Sequence, residues 1–255
     1  MPDDEAGAAE LLLGGRMRLR QFRSGHRAGT DAVLLAAAAP RVEGLIVDVG
    51  AGSGAVGIAA ALRSPRAHLE LLEIDAANCA LAQENLEANG LAARARAIVL
   101  DVLTPRARRE SGVADGRAEL ALTNPPFHEP GRVRSSPDPA RSRAHVFAGA
   151  DEDPLASWMR AVVALTAPGG HVVTLYRADR LDALLRACAG RLGALSVLPI
   201  HPRADAPAIR VVVAGRKGSR APMRLRPGLV LHREDGAFTD LAEALHRGEA
   251  VLGEA

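Results

Sequence analysis

Aromatic residues make up only 2% of this 255-residue chain: one Trp, one Tyr and four Phe. Stacking on a planar ligand therefore has few residues to rest on. Lysine is almost missing, Lys217 being the single one among 32 basic residues. Arginine carries the positive charge, as a bias toward Arg and Ala produces, though its planar fork also suits phosphate. Cys79 and Cys188 fall in predicted helices without metal-like spacing. A disulfide scaffold is excluded, no metal is expected, and a reducing, cytoplasmic compartment is the natural one. No apolar stretch reaches the roughly 20 residues of a membrane span, so no membrane partner is expected. The acidic start from Met1 to Glu10 keeps Leu11-Leu12-Leu13 from reading as a signal peptide. A net charge of +2 does not by itself imply nucleic acid; local clustering would have to.

What is there is an alternation of apolar strands and helices. Residues up to about Arg16 read as a mobile leader, and Arg16 to Arg27 as a basic stretch. Thr30 or Asp31 is placed to cap a short apolar helix that Pro40 ends. Strands are predicted at Leu45–Val49, His68–Glu73, Ala95–Leu100, Ala118–Thr123 and His171–Tyr176. Helices are predicted from the Gly-rich turn to Leu62, and over Ala76–Ala88, Pro154–Thr166, Arg180–Ala189 and Thr239–Arg247. Leu195–Ile200 and Ala208–Ala214, joined by a short loop, should pair antiparallel. Phe127 to Ala150 reads as a long loop. The expected fold is α/β, a single domain with a doubly wound, Rossmann-like, mostly parallel sheet and an antiparallel terminal hairpin. Its parts are an N-terminal segment (1–40), a central domain (41–215) and a C-terminal basic connector with a short helix (216–255).

The turn after the first central strand carries Asp48, Gly50, Gly52 and Gly54, glycines that let the backbone approach a ligand. Glu73 and Ile74 end the second strand, where a carboxylate can accept ribose hydroxyls. Gly52 to Gly57 also matches the dinucleotide fingerprint, so an NAD(P)-binding Rossmann protein stays open. Three features favour S-adenosylmethionine (SAM): Asp48 for the methionine ammonium, Asp101-Val102 at the third strand end for an adenine amino group, and Asn124-Pro125-Pro126-Phe127 after the fourth. All fall at carboxyl ends of strands, where open α/β sheets bind ligands.

The tetrapeptide suits methyl transfer to nitrogen. An exocyclic or amide nitrogen is a poor nucleophile because its lone pair is delocalised. Two acceptors on its N–H bonds, the Asn124 side-chain carbonyl and the Pro125 backbone carbonyl, orient it and stabilise the charge that develops during attack. Phe127 can stack on a planar substrate.

These residues resemble class I SAM-dependent methyltransferases of the NPP[FY] type, and more closely bacterial tRNA adenine-N6 methyltransferases. Gln21 to Leu35, Arg143-Ala144-His145 and His201-Pro202-Arg203 carry the closer likeness, although Val146 follows where that family commonly has an acidic residue. The resemblance implies a cofactor-covering N-terminal segment that includes Thr30 and Asp31. It also implies an RNA partner, tRNA first, with N6 of an adenine as acceptor. Arg132, Arg134, Arg141, Arg143 and His145 are the expected substrate contacts, with Arg203, Arg216, Lys217 and Arg220 as further phosphate candidates. Stacking would rest on Phe127, Phe22 or Phe147. The same tetrapeptide occurs in enzymes acting on protein glutamine or rRNA guanine N2, and those acceptors and a small molecule stay open.

Overall fold

The computed structural model describes residues 7–23, 28–126 and 153–253. The chain enters through a hairpin, β1 (Glu10–Leu12) and β2 (Met17–Leu19). β1 lies within the expected leader and β2 within the stretch read only as basic, and neither strand was foreseen. Met17 and Leu19 alternate inward, 2% and 0% exposed, and a three-residue alternation is too short to stand out in a sequence. Leu13, Gly14 and Gly15, all at positive φ, make the turn.

A nine-stranded sheet forms the centre. β3 (Leu45–Val49), β4 (His68–Glu73), β5 (Ala95–Val99), β6 (Ala118–Thr123) and β7 (Thr166–Arg177) pair in parallel, in the order β5-β4-β3-β6-β7. β8 (Leu192–His201) and β9 (Arg210–Lys217) continue it, with β9 antiparallel between β7 and β8. The expected antiparallel hairpin therefore terminates a doubly wound sheet. β10 (Arg224–Leu225) and β11 (Leu229–Val230) add short parallel pairings to β8, so the expected basic connector contributes strands of its own. β7 begins five residues earlier than its apolar run suggested. A register shift against β6 accommodates the Pro168-Gly169-Gly170 stretch.

The strands are near-continuous apolar runs because both faces of the sheet are covered. On one face lie α1 (Thr30–Ala38), α2 (Ala55–Arg63) and α3 (Ala76–Ala88), with the C-terminal α7 (Asp240–His246) beside α1. On the other lie α5 (Pro154–Leu165) and α6 (Leu181–Cys188). The six-residue α4 (Pro105–Glu110), not foreseen from the sequence, follows β5. The α1 cap is Gly29, with no side-chain cap bond. Thr30 and Asp31, read as caps, point elsewhere because other partners hold them. No helix among the described residues is long and apolar enough to cross a membrane.

If the hairpin belongs to the core, Leu19→Ala should lower unfolding stability by about 3 kcal/mol, as for other buried Leu truncations. Urea denaturation measures this. A change within about 0.5 kcal/mol, typical of surface sites, would mean that β2 does not belong to the core.

Candidate active site

Parallel connections leave β3 and β6 as neighbours whose following segments run to opposite sides, and the crevice there is where such sheets bind ligands. The Gly-rich turn after β3 is held from three sides. Gly50 N and Ala51 N both donate to Leu72 O, at 2.9 and 3.1 Å. Gly52 N donates to Glu73 Oε2 at 2.8 Å. Gly57 N donates to Asp48 Oδ2 at 2.8 Å. Gly54, at φ +85, adopts a left-handed conformation ahead of α2. A Cβ at Gly57 would sit 2.5 Å from Leu71 Cδ2 and 3.0 Å from Asp48 Cβ. Two glycine positions thus answer to packing inside the turn, while a Cβ at Gly52 would meet nothing within 4 Å. Gly52 is the open lip of the turn.

Asp48 lies beneath this loop, 2% exposed. Burial pushes its carboxyl up to about 7, opposed by the Gly57 amide and assisted by the nearby Glu73 charge. Glu73 is only half-buried at the end of β4, both oxygens oriented by backbone amides, Gly52 N on Oε2 and Asp75 N on Oε1. An oriented carboxylate of this kind keeps lone pairs for two hydroxyls. Asp101 ends β5 in a turn, accepting Leu103 N at 3.0 Å and Thr104 Oγ1 at 2.9 Å. Ile74 is 51% exposed and Leu103 39%, apolar residues at adjacent strand ends that suit a flat heterocycle. Val102 is instead buried in the core. Sequence reasoning missed Leu103, since the run Asp101-Val102-Leu103 does not show which residue turns outward.

Asn124, half-buried, and the buried Pro125 follow β6 directly. Asn124 Oδ1 is enclosed and without a hydrogen-bond partner, one of two such side-chain atoms among the described residues, with Thr174 Oγ1. Leaving a buried acceptor unpaired costs about 1–3 kcal/mol, so this oxygen is poised for a donor. Just before it, Thr123 Oγ1 donates to Val49 O and accepts Trp158 Nε1, both at 2.9 Å. These bonds lock the ends of β3, β6 and α5 together. Trp158 is a second residue that sequence reasoning missed. Its ring lies so close to Gly50 that a Cβ there would stand 3.1 Å away.

Thr30 and Asp31 stand at the start of α1. Thr30 Oγ1 meets His246 Nε2 at 3.1 Å, and Asp31 Oδ2 accepts Arg210 Nε at 3.1 Å. Arg203 lies in the loop after β8, on the same edge of the sheet as Asn124. Arg216 and Lys217 end β9 on the opposite edge, and Arg220 follows them. There Lys217 Nζ donates to Thr166 O at 2.6 Å and Arg216 Nε to Gly169 O at 3.1 Å. Phe127, Arg132, Arg134, Arg141, Arg143, His145 and Phe147 lie outside the described residues. Cys79 and Cys188 are buried and free, with burial pushing both thiols up, Cys188 to about 11. Neither is a nucleophile. No His, Cys, Asp and Glu cluster among the described residues is arranged to hold a metal.

A parallel sheet closed by one antiparallel strand, a Gly-rich turn at its switch point, and an unpaired acceptor after the neighbouring strand define a Rossmann-like methyltransferase. The model of the methyltransferase small domain family matches residues 26–137. A solved structure from Agrobacterium tumefaciens, described as a predicted O-methyltransferase, superposes with a TM-score of 0.71 at 30% identity, covering 87% of this chain and 97% of that one. The tRNA1(Val) (adenine(37)-N6)-methyltransferase of Aeromonas hydrophila is 29% identical over 237 residues, 87% of this chain and 91% of its own. The ribosomal RNA small subunit methyltransferase C of Klebsiella pneumoniae is 33% identical over 97 residues, 38% of this chain and 25% of its own.

The raised Asp48 carboxyl has a consequence for stability. Its folded value, about 7, lies above the ordinary 3.8, so the native state holds a proton that the unfolded chain has released. The associated stability is complete below about 3.8 and is lost as pH rises to about 7. Between pH 5 and 7 the wild type should lose on the order of 1 kcal/mol per pH unit relative to Asp48→Asn. Urea midpoints measured across that range check this, and parallel profiles for the two proteins would contradict it.

Proposed function

We propose that this chain is a SAM-dependent N-methyltransferase that methylates the exocyclic N6 of an adenine in tRNA. The observation that carries the reading is the unpaired Asn124 Oδ1 at the carboxyl edge of β6. The Aeromonas hydrophila relative, named for tRNA adenine methylation and matched over 91% of its own length, supports the substrate class.

The residues present fit SAM. The open lip at Gly52, beside the buried Asp48, would hold the donor's amino acid end. The oriented Glu73 carboxylate would accept the ribose hydroxyls. Ile74 and Leu103 would hold the adenine, and Asp101 would accept its amino group. SAM supplies a methyl group activated by its positive sulfur.

The chain's own residues do the rest. Asn124 Oδ1 and the Pro125 carbonyl each accept one N–H of the substrate amino group, turning its lone pair toward the methyl. As the nitrogen attacks and becomes positive, both acceptors strengthen their bonds, which stabilises the transition state more than the ground state. The transfer would break the donor's S–CH3 bond, the electron pair staying on sulfur as the neutral thioether S-adenosylhomocysteine, and the methylated nitrogen would release one proton to solvent. No covalent enzyme intermediate is required. A second reading, guanine N2 of ribosomal RNA, has the shorter match to the Klebsiella pneumoniae relative in its favour.

Tritiated SAM should label bulk tRNA from cells lacking this gene, and nuclease digestion should yield N6-methyladenosine. Asn124→Ala should reduce turnover at least 100-fold, the scale of losing one preorganised polar contact to the transition state. Affinity for S-adenosylhomocysteine, measured by calorimetry, should stay within about tenfold. Label confined to protein, or to guanine N2, would replace the acceptor. Calorimetric binding of NADH in place of S-adenosylhomocysteine would remove the methyl donor.

A further inference from the structure

Asn85 sits in α3, one helix away from the reacting atoms, yet it is 1% exposed and bonded on both ends of its amide. Oδ1 accepts Arg20 N at 2.8 Å. Nδ2 donates to Arg20 O and to Ser53 O, both at 2.9 Å. Ser53 belongs to the Gly-rich turn, one residue from its open lip. Arg20 directly follows β2. One buried side chain therefore binds the cofactor turn and the incoming N-terminal chain at once.

The connection continues beyond Arg20. Gln21, 5% exposed, receives Ala28 N on Oε1 at 2.7 Å and donates Nε2 to Ala28 O at 3.4 Å. Ala28 stands two residues before Thr30 and the first turn of α1. A run of hydrogen bonds thus joins Ser53 to Asn85, Asn85 to Arg20, and Gln21 to the start of α1.

Asn89, one turn further along α3, makes the equivalent grip on β2 without the turn. Its Oδ1 accepts Arg18 N at 2.9 Å and its Nδ2 donates to Arg18 O at 2.6 Å. No bond joins it to the Gly-rich turn; its other amide bond goes to Asn85 O, at 2.7 Å. The two asparagines fasten the same strand, and only Asn85 also fastens the cofactor loop.

We infer that Asn85 is a positioning residue that couples occupancy of the cofactor turn to the order of the basic N-terminal strand. A ligand that fixes the backbone around Ser53 fixes the acceptor of one Asn85 amide hydrogen, and with it the orientation of the group that holds Arg20. The coupling is reciprocal: a well-seated N-terminal strand stabilises the turn in its binding geometry. The strand and the residues flanking it carry Arg16, Arg18, Arg20 and Arg23, so cofactor binding prepares a basic surface before RNA arrives. This rests on the reading of the turn as the cofactor site.

Amide hydrogen exchange of the full chain, with and without saturating S-adenosylhomocysteine, tests the coupling. In the wild type the ligand should slow exchange in residues 7–23 as well as around the turn. Asn85→Ala should bind the ligand about tenfold more weakly, within the range of typical coupling, and should lose the ligand-dependent protection of 7–23 even at saturation. Asn89→Ala should exchange faster in 7–23 at all times, yet keep that ligand-dependent protection and near wild-type affinity. A merely structural role for Asn85 would make the two variants behave alike, which would overturn the proposal. Protection of 7–23 retained in Asn85→Ala would also overturn it. A wild type that binds ligand without protecting 7–23 would overturn the coupling alone. A wild type that does not bind the ligand would overturn the cofactor reading as well.

Discussion

The hydrogen bond from Gly57 N to Asp48 Oδ2 closes the loop on which the other site features depend. It joins the end of the central strand to the second residue past the start of α2, within a turn where a Cβ at Gly57 would have no room. With that turn closed, Gly52 is presented outward, Glu73 is oriented by its amide, and Ser53 is placed over Asn85. The bond also explains why a carboxyl is kept so deep in the sheet. Its burial raises the cost of ionisation, and a backbone donor offsets part of that cost.

The second constraint is the unsatisfied oxygen of Asn124. Thr123 is paired with Val49 and Trp158, and Glu73 with two amides. Fixing Thr123, Trp158 and Glu73 while leaving Asn124 Oδ1 unpaired suits preorganisation, because those groups need little rearrangement at the moment of reaction. The absence of an available thiol fits the same chemistry, in which the protein aligns and stabilises rather than attacks.

Much of the fold was legible in the sequence because the strands are buried on both faces and so read as near-continuous apolar runs, as in Leu45 to Val49, which only Asp48 interrupts. The order of acids and glycines at strand ends was legible for the same reason: each follows a run that ends abruptly. The hairpin around Met17 and Leu19 was not, because two inward residues make no pattern and the packing of β2 on α3 is long-range. Leu103 and Trp158 were missed because their roles depend on which way a turn exposes one residue, and on a bond that spans 35 positions in sequence. Asn85 looked like an ordinary polar residue on an amphipathic helix. Only its burial distinguishes it.

The central claim is that Asn124 Oδ1 accepts a substrate amino hydrogen. A double-mutant cycle reads this directly once the labelled nucleotide is mapped, pairing wild type and Asn124→Ala with RNA carrying either adenine or purine, which lacks the amino group, at that position. Binding in the presence of S-adenosylhomocysteine is the readout. Removing the amino group should weaken binding to the wild type about tenfold, roughly 1.4 kcal/mol, and should have little effect on Asn124→Ala. An equal loss in both proteins would mean that Asn124 does not meet the amino group, and the account of the site would fail.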